Sequence, residues 1–110
     1  MKIKDGVVLS GLQIEMWKVI KVVDLVYKHH GYESTITSGL EGKHSPLSLH
    51  YYGYALDFRV WVLPEMYRDQ IADEIGVRLG PAYQVILKST HMHIEYEASI
   101  ADYKRQLGIQ

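Results

Sequence analysis

The chain has 110 residues, 12 Lys and Arg against 13 Asp and Glu, 47% apolar residues and no cysteine. That length makes one domain around one core, and the balanced charge leaves no basic field to collect a nucleic acid or an anionic membrane surface. Without cysteine there are no disulfides, thiolate zinc sites or thiol nucleophiles, so any metal must be held by histidine and carboxylate.

Val7 to Leu9, after the turn-like Asp5-Gly6, reads as a short strand or a packed lead-in. From there Leu12, Met16, Val19, Ile20, Val23, Val26 and Tyr27 fall at three- and four-residue steps, one helical stripe with Ser10 as its N-cap and Gly31 as its stop. His29 and His30 close the last turn, where the negative end of the helix dipole favours a protonated ring, and a surface or capping role is expected of both. Glu33 to Ser38 is β-branched and feeds a long polar loop through Gly39 and Gly42. Tyr54 to Val62 alternates, with Leu56, Phe58 and Val60 on one face and Ala55, Asp57 and Arg59 on the other. Pro64 opens a second helix that buries Tyr67, Ile71, Ile75 and Leu79 and ends at Gly80-Pro81. Tyr83 to Lys88 and His91 to Glu97 form two strands about Ser89-Thr90, and Ser99 to Leu107 a last helix. The expected fold is α+β: a small, mainly antiparallel sheet with helices on one face and, on the other, the polar residues from which any metal or catalytic site must be built.

The last strand carries the chemistry. Alternation puts His91, His93, Glu95 and Glu97 on one face and Met92, Ile94 and Tyr96 on the other, so two imidazoles stand side by side above the sheet. A His-x-His pair alone is also common on a half-exposed strand, and the middle of the chain tips the balance. His50 ends a glycine-containing loop, and Asp57 follows seven residues later inside a strand, with Gly53 permitting the sharp turn between them. A histidine, an aspartate and a histidine from separate segments form an N/N/O set that suits Zn²⁺ and leaves a fourth position open. Tyr51, Tyr52 and Tyr54 around His50 are expected to pack with their hydroxyls at the rim, or to wall a peptide site.

The run Thr37-Ser38-Gly39 through His44, then Ser48-x-His50-x-x-Gly53-x-Ala55-x-Asp57, then His91-x-His93-x-Glu95, resembles the M15 zinc peptidases. That family includes D-alanyl-D-alanine carboxypeptidases, dipeptidases and phage L-alanyl-D-glutamate endolysins, and the hedgehog-type metal site is a structural relative. The likeness spans about residues 7 to 97. It implies that His50, Asp57 and His93 ligate zinc, that His91 stabilises the transition state or supports the ligands, and that Glu95 orients them. It also implies a peptidoglycan stem peptide or other D-Ala-containing peptide as substrate; from the balanced charge no nucleic-acid or membrane partner is expected, and the chain is expected to be a monomer.

Two positions depart from the family pattern. Relatives carry a Glu or Asp a few residues before the His-x-His pair as general acid and base, whereas this sequence reads Val85-Ile86-Leu87-Lys88-Ser89-Thr90. If Ser89-Thr90 is a two-residue turn, Lys88 pairs across from His91 at the place of the expected acid, and an ammonium there cannot accept a proton. Three readings stay open: an inactive form, natural or substituted; His91 or Glu95 as the base; or an acid from elsewhere, such as Glu41. Second, Leu40-Glu41 stands where relatives often carry an arginine for the substrate carboxylate. Lys43, Arg59 and Lys88 are the substitutes, and Arg59 is preferred because it lies two residues beyond Asp57 on the same face. His44 and Ser48 complete the substrate side, with loop-anchoring hydrogen bonds preferred to ligation for His44 and to attack for Ser48. No charged-then-apolar leader and no unbroken apolar span is visible, so the expectation is a protein made in the cytoplasm that acts on the cell wall, as a phage lysin or virion component, or after export by another route.

Overall fold

Alternation along two central strands gives the sheet one apolar face, and that face dictates where the helices go. The computed structural model describes residues 1–41, 48, 50 and 52–97. Its strands are β1 (Lys2–Ile3), β2 (Thr35–Ser38), β3 (Ala55–Arg59), β4 (Tyr83–Leu87) and β5 (His91–Tyr96), in the order β1-β2-β3-β5-β4. Among the described residues only the β1 and β2 pair is parallel. Ile36, Leu56, Phe58, Met92 and Ile94 project from one face and are fully buried against Met16, Val19, Val23 and Tyr27 of α1 (Ile14–His29) and Ile71 and Ile75 of α2 (Arg68–Leu79). Each such side chain contributes roughly 1.5 to 3 kcal/mol by leaving water. The α+β class and the division of faces are those read from the sequence. Among the described residues no helix is long and apolar enough to cross a membrane.

The differences lie at the element ends. Of the two readings of Val7 to Leu9 the packed lead-in holds, with Val7 and Leu9 against the core; the short edge strand is Lys2–Ile3, too brief for a periodic signal, paired with Thr35 and Ile36. The first helix begins at Ile14 rather than Leu12, with Gln13 and not Ser10 at its N-cap. Gln13 is extended at ψ 151°, its N–H donates to the Gly53 carbonyl and its side-chain amide donates to the Tyr52 carbonyl, so tertiary bonds set the start. After Pro64 a 3₁₀ turn, Glu65–Tyr67, precedes α2. Three residues per turn rotate Tyr67 away from the α-helical stripe, which leaves it 48% exposed rather than in the core. Ile71, Ile75 and Leu79 are buried as expected, joined by Ala72. The expected tail helix lies outside the described residues.

Candidate metal centre

The polar face of the same two strands forms a ladder. Ala55, Asp57 and Arg59 of β3 stand directly opposite Glu95, His93 and His91 of β5. Side chains opposite one another on antiparallel strands start about 5 Å apart at Cβ, so register alone brings the Asp57 carboxylate to the His93 ring. On the other flank β2 shifts register between Ile36, paired with Phe58, and Ser38, paired with Asp57. Such bulges re-aim a strand beside a site.

His50 reaches this face from a loop, through its backbone. Its N–H donates to Ser48 Oγ at 3.2 Å, which gives Ser48 the loop-holding role expected of it. At Gly53 the chain takes φ +77°, and a Cβ there would run into the Gly11 carbonyl oxygen, so only glycine lets the loop lie against the lead-in to α1. The His50 side chain is buried at 4% exposure.

The three groups converge. His93 Nδ1 lies 2.9 Å from Asp57 Oδ1, His50 Nε2 lies 3.2 Å from the same oxygen, and the two ring nitrogens are 3.2 Å apart. The far nitrogen of each ring is committed elsewhere. His50 Nδ1 is 2.9 Å from the Gly39 carbonyl, which only accepts, so Nδ1 carries the hydrogen and Nε2 presents a lone pair inward. His93 Nε2 donates to Glu95 Oε1 at 3.1 Å, which aims its Nδ1 inward in the same way. Three acceptor atoms pointed at one centre demand a positive charge there. In the metal-free protein the surroundings favour a proton on His93. Burial works against it, but the Asp57 hydrogen bond and the charges of Asp57 and Glu95 outweigh burial and raise the His93 pKa. Burial likewise opposes ionisation of Asp57, and the two imidazoles that face it, His50 and His93, reverse the balance, holding its carboxyl well below the usual range.

The triangle also has the dimensions of a metal face. A tetrahedral site with bonds of about 2.0 to 2.1 Å has edges of about 3.3 Å. The observed edges of 2.9 and 3.2 Å need only a slight opening, and His50, Asp57 and His93 form a group able to hold a metal ion. The chain matches no protein-family model and no curated protein.

A cleft of about 320 Å³ adjoins the triangle on the Asp57 side, lined by Lys4, Thr37, Arg59, Trp61, Thr90 and His91. His91 Nε2 is 3.7 Å from Asp57 Oδ2, and its Nδ1 is 2.9 Å from Thr90 Oγ1. The Arg59 guanidinium stacks on the Trp61 ring at 5.0 Å and meets no carboxylate among the described residues. Lys4, Trp61 and Thr90 are additions to the sequence reading; a lysine from a two-residue edge strand leaves no pattern to find.

Lys88 and Glu41 behave differently from Arg59. The hairpin is the two-residue turn supposed for Ser89-Thr90, with the Lys88 N–H donating to the His91 carbonyl at 2.8 Å. Lys88 itself is exposed and lines a separate hollow with Leu87, Ser89, Glu65, Arg68 and Asp69, and among the described contacts its ammonium does not join the triangle. Glu41 Oε1 accepts the N–H groups of Val8 and Gly39, both at 2.8 Å. Burial raises its pKa, but those N–H groups, its own and the Ser38 side chain more than offset this and keep it low, so Glu41 is a brace rather than a proton donor. His30, at the C-cap of α1, pairs with Glu74 across the helix interface, and Tyr54 packs edge-on to Tyr96. His44, Lys43 and Tyr51 lie outside the described residues.

Proposed function

We propose that this chain is a zinc-dependent peptidase of the M15 type, acting on D-amino-acid-containing peptides of peptidoglycan. The observation that carries the reading is the convergence of three acceptor atoms whose outer hydrogen bonds are already taken. His50, Asp57 and His93 would hold the ion, and the N/N/O donor set with one side open suits hydrolytic zinc. Zinc bound there would polarise a peptide carbonyl and bring the pKa of water towards about 7. His91, at the edge of the cleft, takes the proton of the attacking water and passes it to the departing amine as the C–N bond breaks. Arg59, pre-oriented on Trp61, and Lys4 draw in a carboxylate of the peptide. The setting is the cell wall, reached as a phage lysin or virion component or by export through another route.

A second reading, a noncatalytic zinc-stabilised module that holds a wall peptide without cutting it, is favoured by one feature. The nearby carboxylates are engaged, Glu95 by His93 and Glu41 by backbone, while the residue at the expected acid's place in the sequence is Lys88, which lines a separate hollow. Metal analysis and hydrolysis of purified wall peptides test both, using this chain and its His91→Ala variant. About one zinc per chain is expected, with His91→Ala slower by about 10² to 10⁴, the worth of a positioned acid and base. Equal inactivity of both with zinc bound supports the binding module. No zinc uptake and no thermal stabilisation by zinc removes both readings.

A further inference from the structure

The lead-in to α1 and the Glu41 carboxylate lie outside the ligand triangle, yet they hold the group that orients one of its corners. We propose that Glu41 is a positioning residue for His50: by clamping Val8 and Gly39 together it fixes the carbonyl that sets the tautomer and aim of the His50 ring. This inference rests on the zinc reading above.

The connection runs through one peptide unit. The Gly39 carbonyl accepts the His50 Nδ1 hydrogen at 2.9 Å, and the N–H of the same unit, that of Leu40, donates to the Val8 carbonyl at 2.9 Å. Both ends of that peptide plane are therefore committed, one to the lead-in and one to the ring. Glu41 Oε1 closes the arrangement by accepting the Val8 N–H and the Gly39 N–H together. The close approach depends on glycine, since a Cβ at Gly39 would run into the Val8 carbonyl oxygen. Hydrogen bonds in series polarise one another, so a carbonyl whose own N–H is engaged is a stronger acceptor for the imidazole. A stronger acceptor on the outer nitrogen makes the inner one a better metal ligand. His93 leans on the Glu95 carboxylate directly, whereas His50 leans on Glu41 at one remove.

The test compares the full chain with Glu41→Ala, Glu41→Gln and Glu41→Asp. Zinc affinity is read by chelator competition, coordination by the visible spectrum of the cobalt-loaded protein, and folding by the metal-free melt. Glu41→Ala should weaken zinc binding about 10- to 100-fold and alter the cobalt spectrum. Glu41→Gln keeps an acceptor oxygen at the same reach and should recover most of the affinity and the parent spectrum. Glu41→Asp keeps the charge but shortens the reach and should not. A folded Glu41→Ala protein with parent zinc affinity and parent cobalt spectrum overturns the proposal, even if its melting point is lower. Should Glu41→Ala fail to fold, Glu41→Asp decides on the same readouts, and parent behaviour there overturns the proposal. A parent chain that takes up no zinc defeats the metal reading instead, before any variant is compared.

Discussion

Two ligands of the candidate centre come from paired strands and the third from a loop, and the two kinds are held in place differently. Asp57 and His93 face one another because β3 and β5 are in register, and the same register puts Leu56 against Ile94 and Phe58 against Met92 on the opposite side. Their geometry is a by-product of the core. His50 comes from outside the sheet, and a serine hydroxyl, a glycine carbonyl and a close glycine contact help to fix it. The strand pair is thus as firm as the fold itself, while the loop ligand depends on a few individually replaceable hydrogen bonds.

The largest effect should come from breaking what the strand pair shares with the core. Phe58→Ala removes a fully buried ring next to Asp57 and should cost about 3 to 5 kcal/mol in denaturant unfolding, a large part of the stability of a domain this small. Asp57→Ala leaves that core intact and should weaken zinc binding by more than about 100-fold in chelator competition, beyond the usual loss for removing an outer hydrogen-bond partner. Glu95→Ala frees the outer nitrogen of His93 and should cost about 10- to 100-fold in the same assay, with little change in the metal-free melt.

The smallest effect concerns pH and sharpens the same contrast, because the strand pair holds two displaced ionisations that face one another. The Asp57 pKa is depressed in the fold, so its contribution is present above the ordinary carboxylate value and is lost as pH falls through the folded value. The His93 pKa is raised, so its contribution is complete below the ordinary histidine value and is lost as pH rises through the folded value. The metal-free chain should therefore gain most from this pair between about pH 4 and 6.5, read as a maximum in melting temperature that Asp57→Asn flattens. Zinc must displace the His93 proton, so its affinity should rise with pH across that window's upper edge and its uptake should release protons.

The same division decides what was legible in the sequence. Period-two alternation in His91 to Tyr96 and in Ala55 to Arg59 states both faces of the ladder, and the register adds only which residue meets which. His50 as a ligand rested on its spacing from Asp57 and on resemblance, since a loop has no period to read. Its orienting partner was invisible, because a backbone carbonyl has no letter of its own. Glu41 was legible as a carboxylate but not as a clamp, its bond to Val8 spanning 33 residues of sequence. The misplaced starts of both helices have the same origin: Gln13 and Tyr67 answer to tertiary bonds and to a 3₁₀ turn, not to an N-cap or stripe.

The separations across the triangle carry one more consequence. Asp57 and His93 are 36 residues apart in the chain, and His50 and His93 are 43 apart. An ion gripping all three would cross-link a cysteine-free polypeptide much as a disulfide does, tying the N-terminal half of the sequence to the last strand. The unfolded chain offers no such chelate, so free zinc at a hundred times its dissociation constant would add about 2.7 kcal/mol to the folded state. In a domain with so small a core, occupancy of the site and survival of the fold would then rise and fall together.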